Sequence, residues 1–346
     1  MLYIKELPEA GGRLIYSGRR ESIRTKGEFF MRKYIVKRLL LSVVILFCVS
    51  FIIYTLMRCL PGSFVETRAM QLSQGAGAKS YDEWMEQLNA SYGLDKPIVL
   101  GFLTWVGDAL KGNFGDSWKY TVPVLDKFKE VIWLSFIMGA ISFVLELIIA
   151  IPLGVIAATK QYSRADYLIT AGALIGISLP TFFFATLLKL LFSVKLGWFP
   201  VSGADQGIKS LVLPSIALGF MHMASIARTT RSSMLETIRQ DYIRTVRAKG
   251  LPEKEVITRH ALRNALIPTT TVIGLQIGGM LGGSVLTESV FAWPGIGRYM
   301  IQSIQGRDIP SVMGCIIIFA LSFAVINLIV DLIYGFIDPR IKAQYK

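Results

Sequence analysis

Very little of this sequence can carry redox, metal or hydrolytic chemistry. Its 346 residues include three cysteines and two histidines. Cys48, Cys59 and Cys315 show neither metal-ligand nor redox spacing, and two of them sit inside apolar runs, so they read as packing residues. No Gly-x-x-x-x-Gly-Lys-Ser/Thr loop is present to cradle nucleotide phosphates, and there is no His-Glu-x-x-His helix or Gly-x-Ser-x-Gly elbow. The chain therefore cannot hydrolyse ATP alone, and proteolysis has no residues to carry it. No bound cofactor or metal is expected. Charge is also scarce: Asp, Glu, Lys and Arg make up 18% of the residues, against about a quarter in a soluble domain.

What is abundant is apolar sequence, at 53%. Six runs are long enough to cross a bilayer as helices of ~20 residues: roughly 34–57, 131–159, 167–194, 211–230, 266–290 and 311–336. Each is much longer than the ~10-residue strands of a membrane barrel, and backbone groups in hydrocarbon must be bonded internally. An all-α polytopic membrane protein with six transmembrane helices is expected. The first run is too long for the h-region of a signal peptide, and no small-residue cleavage site follows it, so it reads as an anchor.

The net charge of +13 is sorted by topology and does not point to nucleic acid. Ten Lys and Arg lie within residues 5–38 and nine within 228–263, whereas the long segment 58–130 balances eight of them with nine acidic residues. An excess of positive loops inside puts both termini in the cytosol and segment 58–130 outside.

Residues 1–30 form a polar N-terminal extension ahead of a membrane-spanning body at 31–346, and Met31 offers a second start. The extension reads either as a disordered tail or as a short cytosolic element. In the outer segment, apolar residues recur at helical spacing around Trp84 and again after Pro97, as in amphipathic helices on the outer membrane face. Trp105, Trp118, Trp198 and Trp293 fall at or beyond outer span ends, as interfacial aromatics do.

The longest interior polar run starts at Arg228. A helical stretch through Ile238, Tyr242, Ile243 and Val246 ends at Lys249 and Gly250, with Gly250 placed to supply a left-handed C′ residue and Pro252 placed to begin another helix. Two short helices thus meet at a glycine corner. Ile243, Val246 and Leu251 beside it would be costly in water and need either a membrane surface or a partner protein.

These residues carry a resemblance. Asp241 to Leu251 (DYIRTVRAKGL) followed by Arg259 to Pro268 (RHALRNALIP) is similar to the signature loop of binding-protein-dependent ABC transporter permeases, in the dipeptide, oligopeptide and nickel branch. The similarity runs on through Pro61-Gly62, GLDKP at 93–97, GNFGDS at 112–117, IPLGV at 151–155, LGWFPVSG at 196–203, FAWPGIG at 291–297, NLIVD at 327–331 and DPR at 338–340. The long outer segment resembles that of the B-type subunit. The resemblance implies the type I importer permease fold and an assembly with a second, C-type permease, two ATPases that bind ATP and magnesium, and an extracellular or periplasmic substrate-binding protein. It further implies that segment 231–264 docks on the ATPase through Asp241, Tyr242, Ile243, Arg244, Val246, Ala248, Lys249, Gly250 and Leu251. Two departures stand out. Arg244-Thr245-Val246 replaces the Glu-Ala-Ala of the wider superfamily, as is usual in this branch, and Asn113 stands where the branch more often has Asp.

Gly274, Gly278 and Gly282 recur at four-residue spacing in the fifth run, which suits a close-packing helix face, either a pore interface between two permeases or static packing within this chain. Ionisable groups inside a membrane cost ~2.5 to 3.5 kcal/mol on insertion scales. Glu146, near the middle of the second run, is expected either to face the translocation path or a polar neighbour, or to be a neutral buried acid. Lys189 is expected to snorkel to the outer surface. His222 is a weaker signal, and Asn327 and Asp331, on one helix face at i and i+4, read as bonding to neighbouring helices. Glu288 and Trp293 near an outer end are candidates for contacting the binding protein, against a solvated helix terminus and an interfacial aromatic. A self-sufficient channel or ion-coupled carrier is the rival reading, although no paired broken helices with repeat symmetry are evident in the sequence.

Overall fold

The computed structural model describes residues 40–337 apart from 42, 60–61 and 75–78. The N-terminal extension, Met31 and the DPR motif lie outside the described residues. Helix α1 covers 43–59. The outer segment folds as α2 (Phe64–Ser73), α3 (Tyr81–Ser91) and α4 (Ile98–Ala109). The body follows as α5 (Val124–Thr159), α6 (Arg164–Ser178), α7 (Thr181–Leu188) and α8 (Ile208–Ile238), then α9 (Asp241–Ala248), α10 (Glu253–Glu255), α11 (Leu262–Phe291), α12 (Ile296–Gln305) and α13 (Ile309–Ile337). No strand forms among the described residues; Asp116 and Pro123 make one isolated bridge.

Four described helices are long and apolar enough to cross a membrane, beginning at Val43, Val124, Ile208 and Ile309, and a fifth qualifies if α6 and α7 count as one span. The third run of the sequence is not one straight helix as expected. It bends by 112° between α6 and α7. The cause is Pro180, which disfavours a helical residue before it; Leu179 is extended, at φ −84° and ψ 127°. Packing then fixes the new direction, with Phe184 of α7 stacked on Phe220 of α8 at 3.8 Å. The run at 266–290 is helical as part of α11.

The sequence-local signals of the outer segment are satisfied. Ser80 and Glu83 form a reciprocal capping box at the start of α3. Phe102 of α4 is 1% exposed and packs edge-on against Phe47 and Phe51 of α1, with ring centroids 5.3 and 5.2 Å away. Its other side leaves Val99, Leu100 and Leu103 exposed. Arg58 at the end of α1 donates to the carbonyls of Leu94 and Lys96, which ties α4 to the first span. On the opposite flank, buried Asp308 accepts from Ser117 Oγ at 2.5 Å and Trp118 N at 3.2 Å, tying the outer segment to α13.

The centre of the molecule is a seam between α5 and α8, which run in the same direction. Ser142 meets Gly219, Glu146 meets His222, and Gly154 meets Thr230, while Ala150 packs with Ile226 and Ala158 with Met234. Contacts recur about every four residues on both helices, the spacing of one helix face. Small residues at the crossing points let the backbones approach closely.

Candidate functional site

The glycine corner forms at Gly250 as the sequence indicates, but the single helical stretch expected through Ile238 and Val246 is interrupted at Arg239 and Gln240, and its apolar side turns inward. Helix α9 begins after extended Gln240 and ends at Lys249, and Gly250 then takes φ +77°, a conformation that costs other residues about 1–2 kcal/mol. Nothing lies within 4 Å of where a Gly250 side chain would start, so the backbone angle, not crowding inside this chain, selects glycine. Ile243 is fully buried, packed with Ala158, Met234, Val256, Ile257, Ala261 and Ala265, with Val246 and Leu251 against the same cluster. The expectation that these apolar residues require lipid or a partner for cover is therefore corrected: residues at the C-terminal ends of α5 and α8 and at the start of α11 cover them.

What α9 presents outward is polar. Asp241, Tyr242, Arg244, Ala248, Lys249 and Gly250 are exposed. Tyr242 Oη accepts from Asn264 Nδ2 at 2.7 Å, which fixes α9 to the start of α11. Arg247 grips Glu253 across the corner through two bonds of 3.1 and 2.7 Å. That hydrogen-bonded guanidinium holds the Glu253 carboxyl below its usual range, and the carboxylate raises Arg247 in turn.

Above the corner, Arg231 of α8 donates to both oxygens of Asp166 at the start of α6, at 2.5 and 2.8 Å. Asp166 is 3% exposed and also accepts from Tyr162 N at 3.0 Å and Thr170 Oγ1 at 3.3 Å. The sequence reading missed this pair. A signal for half of it was present, because Ser163 and Asp166 have the spacing of a helix N-terminal cap; nothing local marks Arg231 as the partner.

Glu146 is fully buried in the α5/α8 seam, with Oε2 3.7 Å from His222 Nδ1. It faces a polar neighbour inside this chain and not an open path through it. Neither of its oxygens, nor Ser142 Oγ, has a hydrogen-bond partner among the described residues. Lys189 reaches toward the end of α11. Its ammonium donates to Val290 O at 2.7 Å near the end of α11, where unsatisfied carbonyls attract a cation. Lys189 also opens a π-helical turn, Lys189–Lys195.

The outer candidates are enclosed. Glu288 is fully buried, accepting from Ser135 Oγ at 2.6 Å and from Arg298 N at 3.0 Å. Trp293 is 3% exposed, and its indole donates to Leu134 O at 3.1 Å. Neither a binding-protein contact nor a solvated terminus fits these positions, and Trp293 is not an interfacial aromatic. The apolar sequence around Glu288 concealed that its carboxylate receives the amides at the start of α12. The FAWPGIG motif is the cradle for that carboxylate: a β-carbon on Gly295 would collide with Ser135 Oγ and Glu288 Oε2, and one on Gly297 would lie 2.6 Å from Val285 Cα.

The glycine stripe of α11 divides. Gly274 is buried, whereas Gly282 and its neighbour Gly279 face open space, with no atom near their missing side chains. Leu275 and Leu286 are exposed beside them. Gly279 and Gly282 are therefore open to meet another protein, whereas the surroundings of Gly278 lie outside what the structure describes. Among the described residues no His, Cys, Asp or Glu group of three converges to hold a metal.

Residues 150–343 match the family described as binding-protein-dependent transport system inner membrane component, and residues 31–127 match the N-terminal part described for such membrane components. The chain is 38% identical over 339 residues to a dipeptide transport system permease protein of Alkalihalophilus pseudofirmus, covering 90% of this chain and 100% of the relative. It is 38% identical over 322 residues to an oligopeptide transport system permease protein of Bacillus subtilis, covering 90% and 100%. It is 39% identical over 316 residues to a glutathione transport system permease protein of Escherichia coli, covering 90% and 99%. Among solved structures, a chain of the MetNI methionine ABC transporter aligns with a TM-score of 0.53 at 17% identity, covering 62% of this chain and 97% of that one. At that identity the likeness speaks for the fold alone.

Proposed function

The chain belongs to the family of binding-protein-dependent transport system inner membrane components, and from that premise we propose that it carries peptides inward, driven by an ATPase that docks on α9. It is a permease subunit and a multi-pass protein of the bacterial membrane, not an enzyme. Membership implies an ATPase and a substrate-binding protein as partners.

The reading goes further in three respects. The chain crosses the membrane six times, with α6 and α7 as one broken crossing and α11 as another, and with both termini in the cytosol. A second, C-type permease completes the pathway, with the outer glycines of α11, Gly279 and Gly282, at their interface. Two ATPases, which hold the ATP and magnesium, engage the exposed polar face of α9 and the Gly250 corner, so that their closure drives alternating access. The substrates are peptides, in keeping with relatives named for dipeptide, oligopeptide and glutathione transport.

One observation carries the docking assignment. The plug of Ile243 in the ends of α5, α8 and α11 makes α9 an appendage that cannot move without moving those helices. The test is ATP-dependent uptake of labelled di- and oligopeptides into proteoliposomes holding the full complex with its binding protein. Uptake that needs ATP, binding protein and ATPase supports the scheme. Uptake by this chain without an ATPase would replace it with a carrier.

A further inference from the structure

We propose that Arg231 and Asp166 are positioning residues for coupling: their ion pair makes the corner between α5 and α6 move as one body with the stalk of α8 that carries α9. A pull on α9 then reaches α6 and the bend at Leu179 and Pro180. The inference rests on the docking role proposed for α9.

The geometry is that of a strut. Arg231 lies on α8 seven residues before its end at Ile238, a rise of roughly 10 Å along the helix, and α9 begins at Asp241 after the break. Its guanidinium meets the carboxylate through two bonds. A bidentate pair fixes orientation as well as distance, so it transmits rotation where a single contact would pivot. The same carboxylate shapes the corner it holds. Asp166 accepts the amide of Tyr162, a residue at φ +63°, and the hydroxyl of Thr170 one turn into α6.

A second tie lies closer to α9, where Arg239 Nη2 donates to Gln161 Oε1 at 3.4 Å. Between the two ties a groove of about 630 Å³ opens to the cytosolic side, lined by Gln161 and Tyr162 from the corner and by Glu236, Arg239 and Asp241 from the α8–α9 junction. The two polar links thus reach the corner beyond the apolar contact of Ala158 with Met234, where α5 itself meets the stalk. Arg231 directly follows Thr230, whose side chain meets Gly154, so α5, α6 and α8 converge within one turn. Further out, α6 rests on α8 again where Gly176 meets Ala224. Held at both places, α6 follows α8 up to its last residue, Ser178, where the 112° bend begins.

The test uses the complete importer in proteoliposomes and reads ATP-driven uptake, basal ATPase and ATPase stimulated by loaded binding protein. Arg231→Lys keeps the charge but loses the two-bond geometry, and Asp166→Asn loses the charge. Both should lower uptake per ATP hydrolysed by roughly tenfold, with basal ATPase unchanged, and Arg231→Lys should leave the thermal unfolding temperature near that of the unaltered complex. Unchanged uptake per ATP in both variants would overturn the proposal, as would a loss explained entirely by lower stability. A second measurement avoids altering the pair. Cysteines at Tyr162 and Glu236, with Cys48 and Cys59 replaced by serine, are joined by a short bifunctional thiol reagent. If corner and stalk move together, the joined complex still transports at a rate within about twofold of the unjoined one. If joining stops transport, the two must separate during the cycle and the strut is wrong. A failure of ATP-driven uptake in the unaltered complex would instead sink the docking reading on which the strut depends.

Discussion

Gly154 of α5 lies directly against Thr230 of α8: a β-carbon added to the glycine would stand 2.6 Å from Thr230 Cβ and 2.7 Å from the carbonyl oxygen of Ala227. Backbone cannot yield as a flexible side chain can. Gly154→Ala should therefore push the two helices apart and destabilise the protein by about 1–3 kcal/mol, as overpacking does. Thr230→Gly in the same chain should recover part of the loss, because it removes the atom that is struck. Thermal unfolding of the purified complex in detergent checks both, and a silent Gly154→Ala would mean that the seam is looser than its contacts indicate.

At the corner the argument turns on the backbone angle. Gly250 has open space around it but φ +77°, so Gly250→Val should cost more than the ordinary 1–2 kcal/mol of a left-handed residue, about 2 kcal/mol or above. Asparagine tolerates that region. Gly250→Asn should thus preserve the corner while Gly250→Val uncouples ATP hydrolysis from uptake and leaves peptide capture by the binding protein intact. Equal uptake by the two variants would remove the conformational explanation.

Ile243 tests whether the buried side of α9 anchors it. Removing most of a fully buried isoleucine costs about 2–5 kcal/mol, against 0.5–1.5 for Ile→Val. Ile243→Ala should therefore loosen α9 and speed protease cleavage near Gly250 in inside-out vesicles, with Ile243→Val close to the unaltered protein. Cleavage at the original rate in Ile243→Ala would show that Val246, Leu251 and the Tyr242–Asn264 bond hold the helix without it.

How far the sequence disclosed this arrangement follows from the range of each cause. The glycine corner was legible because its causes are local: a left-handed residue at Gly250, a proline at 252 and a helical pattern from Tyr242 to Val246; the break at Gln240 was not. The inward turn of Ile243 was not, because its cover comes from Ala158, Met234 and Ala265, which are distant in sequence. Prolines were ambiguous for a related reason. Pro152, Pro214 and Pro268 all lie within intact helices, and only at Pro180 does the chain break, in a direction that Phe184 takes from Phe220. The long apolar runs disclosed the helices but not the partners of polar residues within them. Glu288, Asp166 and Asp308 each depend on donors from another element.

The Arg247–Glu253 clasp gives a pH prediction of definite sign. The guanidinium lowers the Glu253 pKa below its usual value of 4.5, so the folded state favours the ionised carboxyl. The stabilisation is present above that usual value and is lost as the pH falls through the lowered one. The side chains are 39% and 60% exposed, so the effect stays under about 1 kcal/mol and shrinks further in salt. Glu253→Gln should therefore lower the unfolding temperature slightly at pH 7, and the gap to the unaltered protein should close under more acidic conditions than a free glutamate would require. A gap that widened on acidification would contradict the pairing.

Glu288 separates a positioning role from the surface contact that the sequence suggested. Its carboxylate accepts from Ser135 Oγ and Arg298 N, and both are donors. Glu288→Gln keeps one acceptor for Arg298 N but turns the other into an NH2 from which Ser135 Oγ must accept instead of donating, so charge-assisted bonds become neutral ones in a buried site, at a cost of about 1–3 kcal/mol. The start of α12 should then loosen, and amide exchange at Ile296 and Arg298 should accelerate. Affinity for the binding protein should change only as far as α12 moves, because the side chain itself never reaches the surface. If Glu288→Gln weakened binding-protein affinity without altering exchange at α12, Glu288 would have to become exposed in the assembled importer, and the enclosed cradle formed by Gly295 and Gly297 would describe only one state of its cycle.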